Sequence, residues 1–345
     1  MSQLLEGRLP DGRSIASVVF ASLEERDACL EFVDVGARNG SFLLPPSYAA
    51  HTRITGFEPN RVEYEKLVSG KTDAAAVGLK EPSFRARRYF PHAVWSEQTE
   101  RTIYLTVGPG AVSLMGPADE AMTANMWRES DGGQSYRERH QALVGTDSVT
   151  CVALDDIWSE ADGIIDVLKL DVEGAELHVL KGAKSLLSQR RVLLIFSEFL
   201  FVPYYQERMT LGHQQVFLDD LGYRLAAINM NHDGYSWRHT NIEAQNDRRM
   251  TYAGDAIFIL DPDRNALDAE QQYRLGLACM AMDFNAVGLN LMHESGMLPL
   301  SDVRAIEDAA NRVGIGRRML RVWNDVPHHV YRLLHGIRSC VARWR

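Results

Sequence analysis

Two carboxylates, Asp171 and Glu173, follow the apolar run Ile164–Leu170 and stand directly before Gly174. Acids delivered at the carboxyl end of a buried strand are placed to handle the protons or charge of a ligand. In extended chain Lys169, Asp171 and Glu173 share one side, so the ammonium can neutralise a neighbouring carboxylate where charge is otherwise costly. A second constellation lies far upstream. Asp34-Val-Gly-Ala-Arg-Asn-Gly ends the apolar run Leu30–Val35, and Glu58-Pro59 ends the run Ile54–Phe57. Glycine at 36 and 40 is expected to let backbone approach a ligand that a Cβ would obstruct. Glu58, at a strand end, can accept hydrogen bonds from both hydroxyls of a ribose. The spacing Gly-x-x-x-Gly, in place of Gly-x-Gly-x-x-Gly, lacks the tight first turn that cradles a pyrophosphate. Asp34 would repel a pyrophosphate and would favour a sulfonium and an α-ammonium. The pairing therefore points to S-adenosylmethionine (SAM) more than to NAD.

Such residues converge only if a parallel sheet brings several strand ends to one edge. Short apolar strands alternating with amphipathic segments supply that rhythm. Strands are predicted at Leu30–Val35, Ile54–Phe57, Phe84–Phe90, Thr102–Thr106, Ser148–Val152, Ile164–Leu170, Val192–Phe196, Tyr223–Ile228 and Ala256–Leu260. Helices are predicted at Ile15–Cys29, Arg61–Ser69, Ala175–Ser188 and Leu211–Leu221. Gly70–Pro82 and Ala118–Leu143 read as insertions, of a length that over a ligand edge serves as lid, specificity element or mobile segment. Strand signals stop at Leu260, and the remainder reads as helices broken near Gly296–Pro299, Gly314–Gly316 and Pro327. Three units are expected: an N-terminal helical segment over 1–29, a cofactor-binding domain over 30–262 and a helical accessory region over 263–345.

The 345 residues are 46% hydrophobic, ample for one large α/β domain with an appendage. A net charge of −9 argues against nucleic acid as the principal partner. Cys29, Cys151, Cys279 and Cys340 show no metal-ligand or disulfide spacing, which fits a reducing cytoplasm. No apolar run approaches the roughly 18–20 residues needed to span a membrane, and Met1–Pro10 carries no signal-like apolar core. From Asn311 onward there are eight arginines against one acid, Asp325. Within that stretch Val330, Leu333, Leu334, Ile337, Val341 and Trp344 recur at helical spacing. This helix is either an interface, against the catalytic domain or in a homo-oligomer, or a peripheral contact with an anionic membrane.

Glycine loop, acidic second strand and carboxylates on a later strand follow one another in the order of a class I methyltransferase. More specifically, the chain resembles the FkbM-type methyltransferases. The resemblance rests on Asp34-Val-Gly-Ala-Arg-Asn-Gly, Phe57-Glu-Pro-Asn, Leu154-Asp-Asp, Leu168-Lys-Leu-Asp-Val-Glu-Gly-Ala-Glu-Leu-His-Val-Leu-Lys-Gly-Ala and Phe196-Ser-Glu, and it covers about residues 30–260. It implies a doubly wound α/β sheet, mostly parallel with an antiparallel last strand, and SAM-dependent O-methylation of a sugar, glycan, glycolipid or polyketide-type hydroxyl. Carried over by position, Asp34, Gly36, Ala37, Asn39 and Gly40 would line the methionine and ribose side, Glu58 with Pro59 the ribose, and Asp171 with Glu173 the methyl-transfer edge. Three features depart from the family: Pro45-Pro46 in the first helix after the glycine loop, the long insertion at Ala118–Leu143, and the C-terminal helices.

Methyl transfer from a sulfonium is an in-line displacement, which leaves alignment of the acceptor and removal of its proton to the enzyme. Asp171 is the first candidate base and Glu198, at the end of the next strand, the second. The competing role for Asp171 is to hold the amides of the following turn, and for Glu173 to sit as an acid at a helix N-terminus. His92, after the third strand, can touch cofactor or acceptor or be a satisfied structural group. His178 reads as a packing or surface residue, while His213 and the loop cluster His232, Asp233 and His239 are acceptor-side candidates. No metal site is expected, the one alternative being Asp171 and Glu198 holding a divalent cation with an acceptor diol. Two other functions compete, a non-catalytic SAM- or glycan-binding module and a Rossmann oxidoreductase. The four intact acids Asp34, Glu58, Asp171 and Glu173 disfavour the first, and the missing dinucleotide glycines disfavour the second.

Overall fold

A computed structural model describes residues 4–117, 142–201, 205–207, 209–230, 251 and 253–311. The insertion from Ala118, except its last two residues, lies outside them. So do the cluster His232, Asp233 and His239 and the segment Val326–Arg345, expected from the sequence as a basic helix.

The strands among the described residues are β1 (Leu30–Val35), β2 (Thr52–Phe57), β3 (Ala86–Phe90), β4 (Ala93–Val94), β5 (Thr99–Thr106), β6 (Leu143–Val152), β7 (Ile165–Leu170), β8 (Val192–Leu200), β9 (Tyr223–Met230) and β10 (Ala253–Leu260). Seven form one sheet in the order β3-β2-β1-β7-β8-β10-β9. β1 pairs in parallel with β2 and β7, β2 with β3, and β7 with β8, whereas β10 runs antiparallel to both β8 and β9. This is the class I methyltransferase sheet, as the motif order predicts. Every residue of β1 is buried, so both faces of the sheet's centre are covered. Strand order reverses between β1 and β7, and in such sheets the ligand crevice opens at the carboxyl ends around that switch point. Asp34, Glu58 and Asp171 all lie there.

Three features of the elements bear on the site, the first two of them departures from the expected pattern. A second sheet, β4-β6-β5, stands apart from the first. Its two-residue strand β4 is too short to leave a periodic signal, and it pairs in parallel with the end of β6. Around this sheet Trp95, Ile103, Leu114, Met115 and Tyr205 form a small core of their own. The expected helix Ala175–Ser188 is two helices, Glu176–Lys181 and Lys184–Ser188. Gly182 stands at the break, and a Cβ on it would lie 2.0 Å from the Trp95 carbonyl oxygen, so that close approach requires glycine. After the glycine loop, Pro45-Pro46 leaves only the four-residue helix Pro46–Ala49.

The expected 1–29 and 263–345 units are not set apart from the sheet where they are described. Leu5, Ile15, Phe20 and Leu23 share one continuous core with β1, β7 and β8, and so do Tyr273, Leu277, Met292 and Ile306. Helix Ala269–Ala281 lies against β7 and β8. Arg274, on that helix, reaches Asp166 of β7 through Nε–Oδ1 at 2.7 Å and Nη2–Oδ2 at 2.5 Å, and Asp166 is fully buried. Tyr273 donates its hydroxyl to the Val19 carbonyl at 2.5 Å.

Candidate active site

A cavity of about 260 Å³ opens at the switch point. Gly36, Asn39, Glu58, Pro59, His92, Asp171 and Glu173 stand in its wall, so seven of the residues singled out in the sequence meet at one place. Asp34, Ala37, Gly40 and Glu198 are not in the wall. The opposite side comes from the small sheet and its turn, through Ala93, Ile103, Pro109, Gly110, Ser113 and Leu114.

Asp34 is fully buried behind the wall and accepts from Lys169 Nζ at 3.1 Å. Lys169 also meets Asp171 Oδ2 at 3.2 Å, the neighbouring-carboxylate contact expected from the strand, and the bridge to Asp34 across β1 and β7 comes in addition. Burial by itself would lower the Lys169 pKa, but the Asp34 and Asp171 charges hold it above the ordinary lysine range. Burial likewise pushes the Asp34 carboxyl up, against the pull of that ammonium. Asn39 Oδ1, buried on a residue of the cavity wall, has no hydrogen-bond partner, whereas Asp34 also has the Ser41 hydroxyl beside it. The Asn39 oxygen is an acceptor, and SAM carries donors in its α-ammonium and ribose hydroxyls, so this wall residue fits that cofactor.

Glu58 is 6% exposed, and one carboxylate oxygen accepts from the Asn60 amide at 2.7 Å. Desolvation raises its pKa to about 7, against the stabilising Asn60 bond. The two glycines also lie close against other parts of the chain. A Cβ on Gly36, whose φ is +88°, would stand 1.9 Å from the Asp171 carbonyl oxygen, and one on Gly40 would meet the Glu81 carboxylate at 2.9 Å. In both places neighbouring chain already lies where the side chain would go.

Asp171 does not hold the turn amides. That role belongs to Glu176, whose Oε1 accepts from Val172 and Gly174 N–H at 3.2 Å each. With the turn held by another residue, the Asp171 side chain is left 48% exposed in the cavity wall. β7 ends at Leu170, and Glu173 sits in the turn with φ +54°. Ser113 donates to its carbonyl at 2.7 Å, and Tyr205 donates to its carboxylate at 2.9 Å. Burial, reinforced by the Asp171 charge, raises the Glu173 pKa to about 8. Glu198 stands opposite Asp255 in the β8/β10 register. Desolvation, with the nearby charges of Glu173 and Asp171, pushes it well above the carboxylate range. Burial also raises Asp255, to about 6.

His178 stacks on Trp95 with ring centroids 3.7 Å apart and pairs with Glu207 at 2.9 Å, so it is a packing residue. His213 closes a capping box with Thr210 at the start of helix Leu211–Asp220. Among the described residues no group of three or more His, Cys, Asp or Glu side chains is arranged to hold a metal. Arg38, Ser113, Tyr205 and Asp255 were missed in the sequence. Only Asp255 leaves a local signal, an acid near the start of a strand, which an antiparallel strand carries to the same edge as the ends of its parallel neighbours.

The sequence matches the Methyltransferase FkbM domain over residues 34–225, more than half of the chain. No match is found among curated proteins. Three solved structures illustrate the structural likenesses. One is magnesium protoporphyrin IX methyltransferase (ChlM) from Synechocystis PCC 6803 with bound SAM, at 12% identity, 71% coverage of this chain, 77% of that one and a TM-score of 0.31. Another is StiE O-MT, at 11%, 78%, 79% and 0.31. The third is Streptococcus pneumoniae Sp1610, a putative tRNA (m1A22) methyltransferase in complex with SAM, at 11%, 86%, 95% and 0.30. TM-scores this low describe loose likenesses that say nothing of the site. With more than half of the chain matched and the strand order of a class I methyltransferase around the cavity, the chain belongs to the FkbM family of SAM-dependent methyltransferases.

Proposed function

We propose that this protein is an O-methyltransferase that uses SAM to methylate a hydroxyl of a sugar, glycan, glycolipid or polyketide-type acceptor. The observation that carries the reading is the cavity wall. Glu58 stands at the end of β2, and Asp171 and Glu173 stand after β7, with the glycine loop of β1 between them. That span suits a ligand with a nucleoside at one end and a charged tail at the other. SAM, when bound, supplies a methyl group already activated by the sulfonium charge.

The chain's own residues must orient the acceptor oxygen and take its proton, because a sugar hydroxyl is a weak acid. Burial and the Asp171 charge favour the protonated form of Glu173, in which it can position an acceptor by hydrogen bonding. Asp171, in the same wall, is the candidate base. Glu198 is the second candidate, and its raised pKa would make it the stronger base once ionised.

Thermal unfolding with S-adenosylhomocysteine (SAH) or NAD tests the cofactor. A ligand at a hundredfold over its Kd adds about 2.7 kcal/mol, so SAH should raise Tm and NAD should not. Transfer of a labelled methyl group from SAM to hydroxyl-bearing acceptors, with carbon NMR of the product, tests the atom methylated. A methyl on nitrogen or carbon, or no transfer with SAH still bound, would overturn the O-methyl assignment.

A further inference from the structure

We infer that Glu81, in the stretch expected as an insertion, is a positioning residue that holds the glycine loop in its ligand-binding shape; the inference rests on the SAM-binding reading above. Asn39 and Gly40 are consecutive left-handed residues, with φ of +69° and +87°. A non-glycine residue in that region is costly unless its surroundings hold it there. Two hydrogen bonds span this part of the loop. Gly40 N–H donates to the Ala37 carbonyl at 3.1 Å, within the loop itself. Ser41 N–H donates to Glu81 Oε1 at 2.7 Å, and that bond comes from outside.

The other Glu81 oxygen meets Arg87 Nη2 of β3 at 3.1 Å, so the carboxylate ties the loop to the edge of the main sheet. It also fills the space beside Gly40 that a Cβ would enter. A second tie comes from the same stretch. Asp73 Oδ2 accepts from Arg38 Nη2 at 2.9 Å, and Arg38 Nε donates to Glu63 at 3.0 Å. The two ties differ in weight. The Asp73 side chain is 50% exposed and that of Glu81 21%, and exposed pairs hold little. Residues 71–82 therefore brace the loop from behind, and Glu81 is the brace that matters.

Glu81→Asp keeps the charge but withdraws the carboxylate by one methylene from the Ser41 amide. Glu81→Gln loses the charge but keeps an oxygen within reach. Calorimetry with SAH on the full chain is expected to show Glu81→Asp weakened about tenfold, the loss of one charge-assisted bond, with the Tm of the free protein nearly unchanged. Glu81→Gln should stay within about threefold of wild type, and Asp73→Ala likewise. Wild-type affinity in Glu81→Asp, or a greater loss in Glu81→Gln than in Glu81→Asp, would overturn the inference. If wild type itself fails to bind SAH, the cofactor reading is at fault and this inference falls with it.

Discussion

Asp171 and Glu58 are both carboxylates of the cavity wall, yet their surroundings differ. Asp171 is half-exposed beside an ammonium, while Glu58 is buried with one backbone donor. Asp171→Asn removes a proton acceptor without emptying space. Turnover is expected to fall by at least about a hundredfold, with SAH affinity within a few-fold of wild type. Wild-type turnover in this variant would make Asp171 structural and move the base to Glu198 or His92. An EDTA and magnesium titration separates base from metal ligand, since only a metal site responds. For Glu58 the expectation is a pH dependence. Its folded pKa, about 7, lies above the ordinary 4.5, so its contribution to fold stability is present below 4.5 and lost as pH rises through 7. A ribose diol donating to it favours the ionised form and works in the opposite direction. SAH affinity should therefore fall as pH drops from about 8 to 6, and Glu58→Gln should flatten that slope. A slope unchanged in Glu58→Gln would show that another group controls it.

At the scale of elements, the small sheet and the split helix depend on each other. β4 leads into Trp95, whose carbonyl oxygen occupies the space beside Gly182, and the Trp95 ring stacks on His178 one turn earlier. The chain after Glu173 therefore packs closely against the strand that lines the far side of the cavity. Gly182→Ala should cost about 1–3 kcal/mol in urea unfolding, the usual cost of overpacking. Ala93 and Val94, next to Trp95, line the cavity, so SAH affinity should fall with stability. Full stability in this variant would mean that the Trp95 backbone shifts easily, and that the small sheet is a loosely held wall.

At the scale of the molecule, helix Ala269–Ala281 belongs to the sheet's own core. Arg274 is the counter-charge of a fully buried Asp166, which also accepts from the Glu31 amide at 2.6 Å. Removing one partner of a buried pair is costly, so Arg274→Ala should lose about 3–5 kcal/mol. A fragment ending at residue 262 should fail to unfold cooperatively; a cooperative transition in it would support the division expected between 262 and 263. Among the described residues no helix is long and apolar enough to cross a membrane. For the basic segment Val326–Arg345 we propose a protein interface. Its removal should change oligomeric state or solubility and leave anionic-vesicle binding at background, and salt-sensitive vesicle binding lost on truncation would favour lipid instead.

The meeting of the candidate site residues at one sheet edge was legible in the sequence because their signals are local. Asp34, Gly36, Asn39, Glu58, Asp171 and Glu173 lie where strands meet loops, and a strand end announces itself by hydrophobic pattern and glycine. The fold class was legible for the same reason, since motif order along the chain implies strand order in the sheet. Contact partners were not legible. Nothing near Glu176 reveals that it, and not Asp171, takes the turn amides. Nothing near Glu81 announces Ser41, and nothing near Arg274 announces Asp166, 108 positions away. Each of these pairs is chosen by how three-dimensional packing strips water from a charge and leaves one partner within reach. The glycines show the same division: their necessity could be read from the motif, but the atoms that enforce it, the Asp171 carbonyl and the Glu81 carboxylate, arrive only when distant segments fold together.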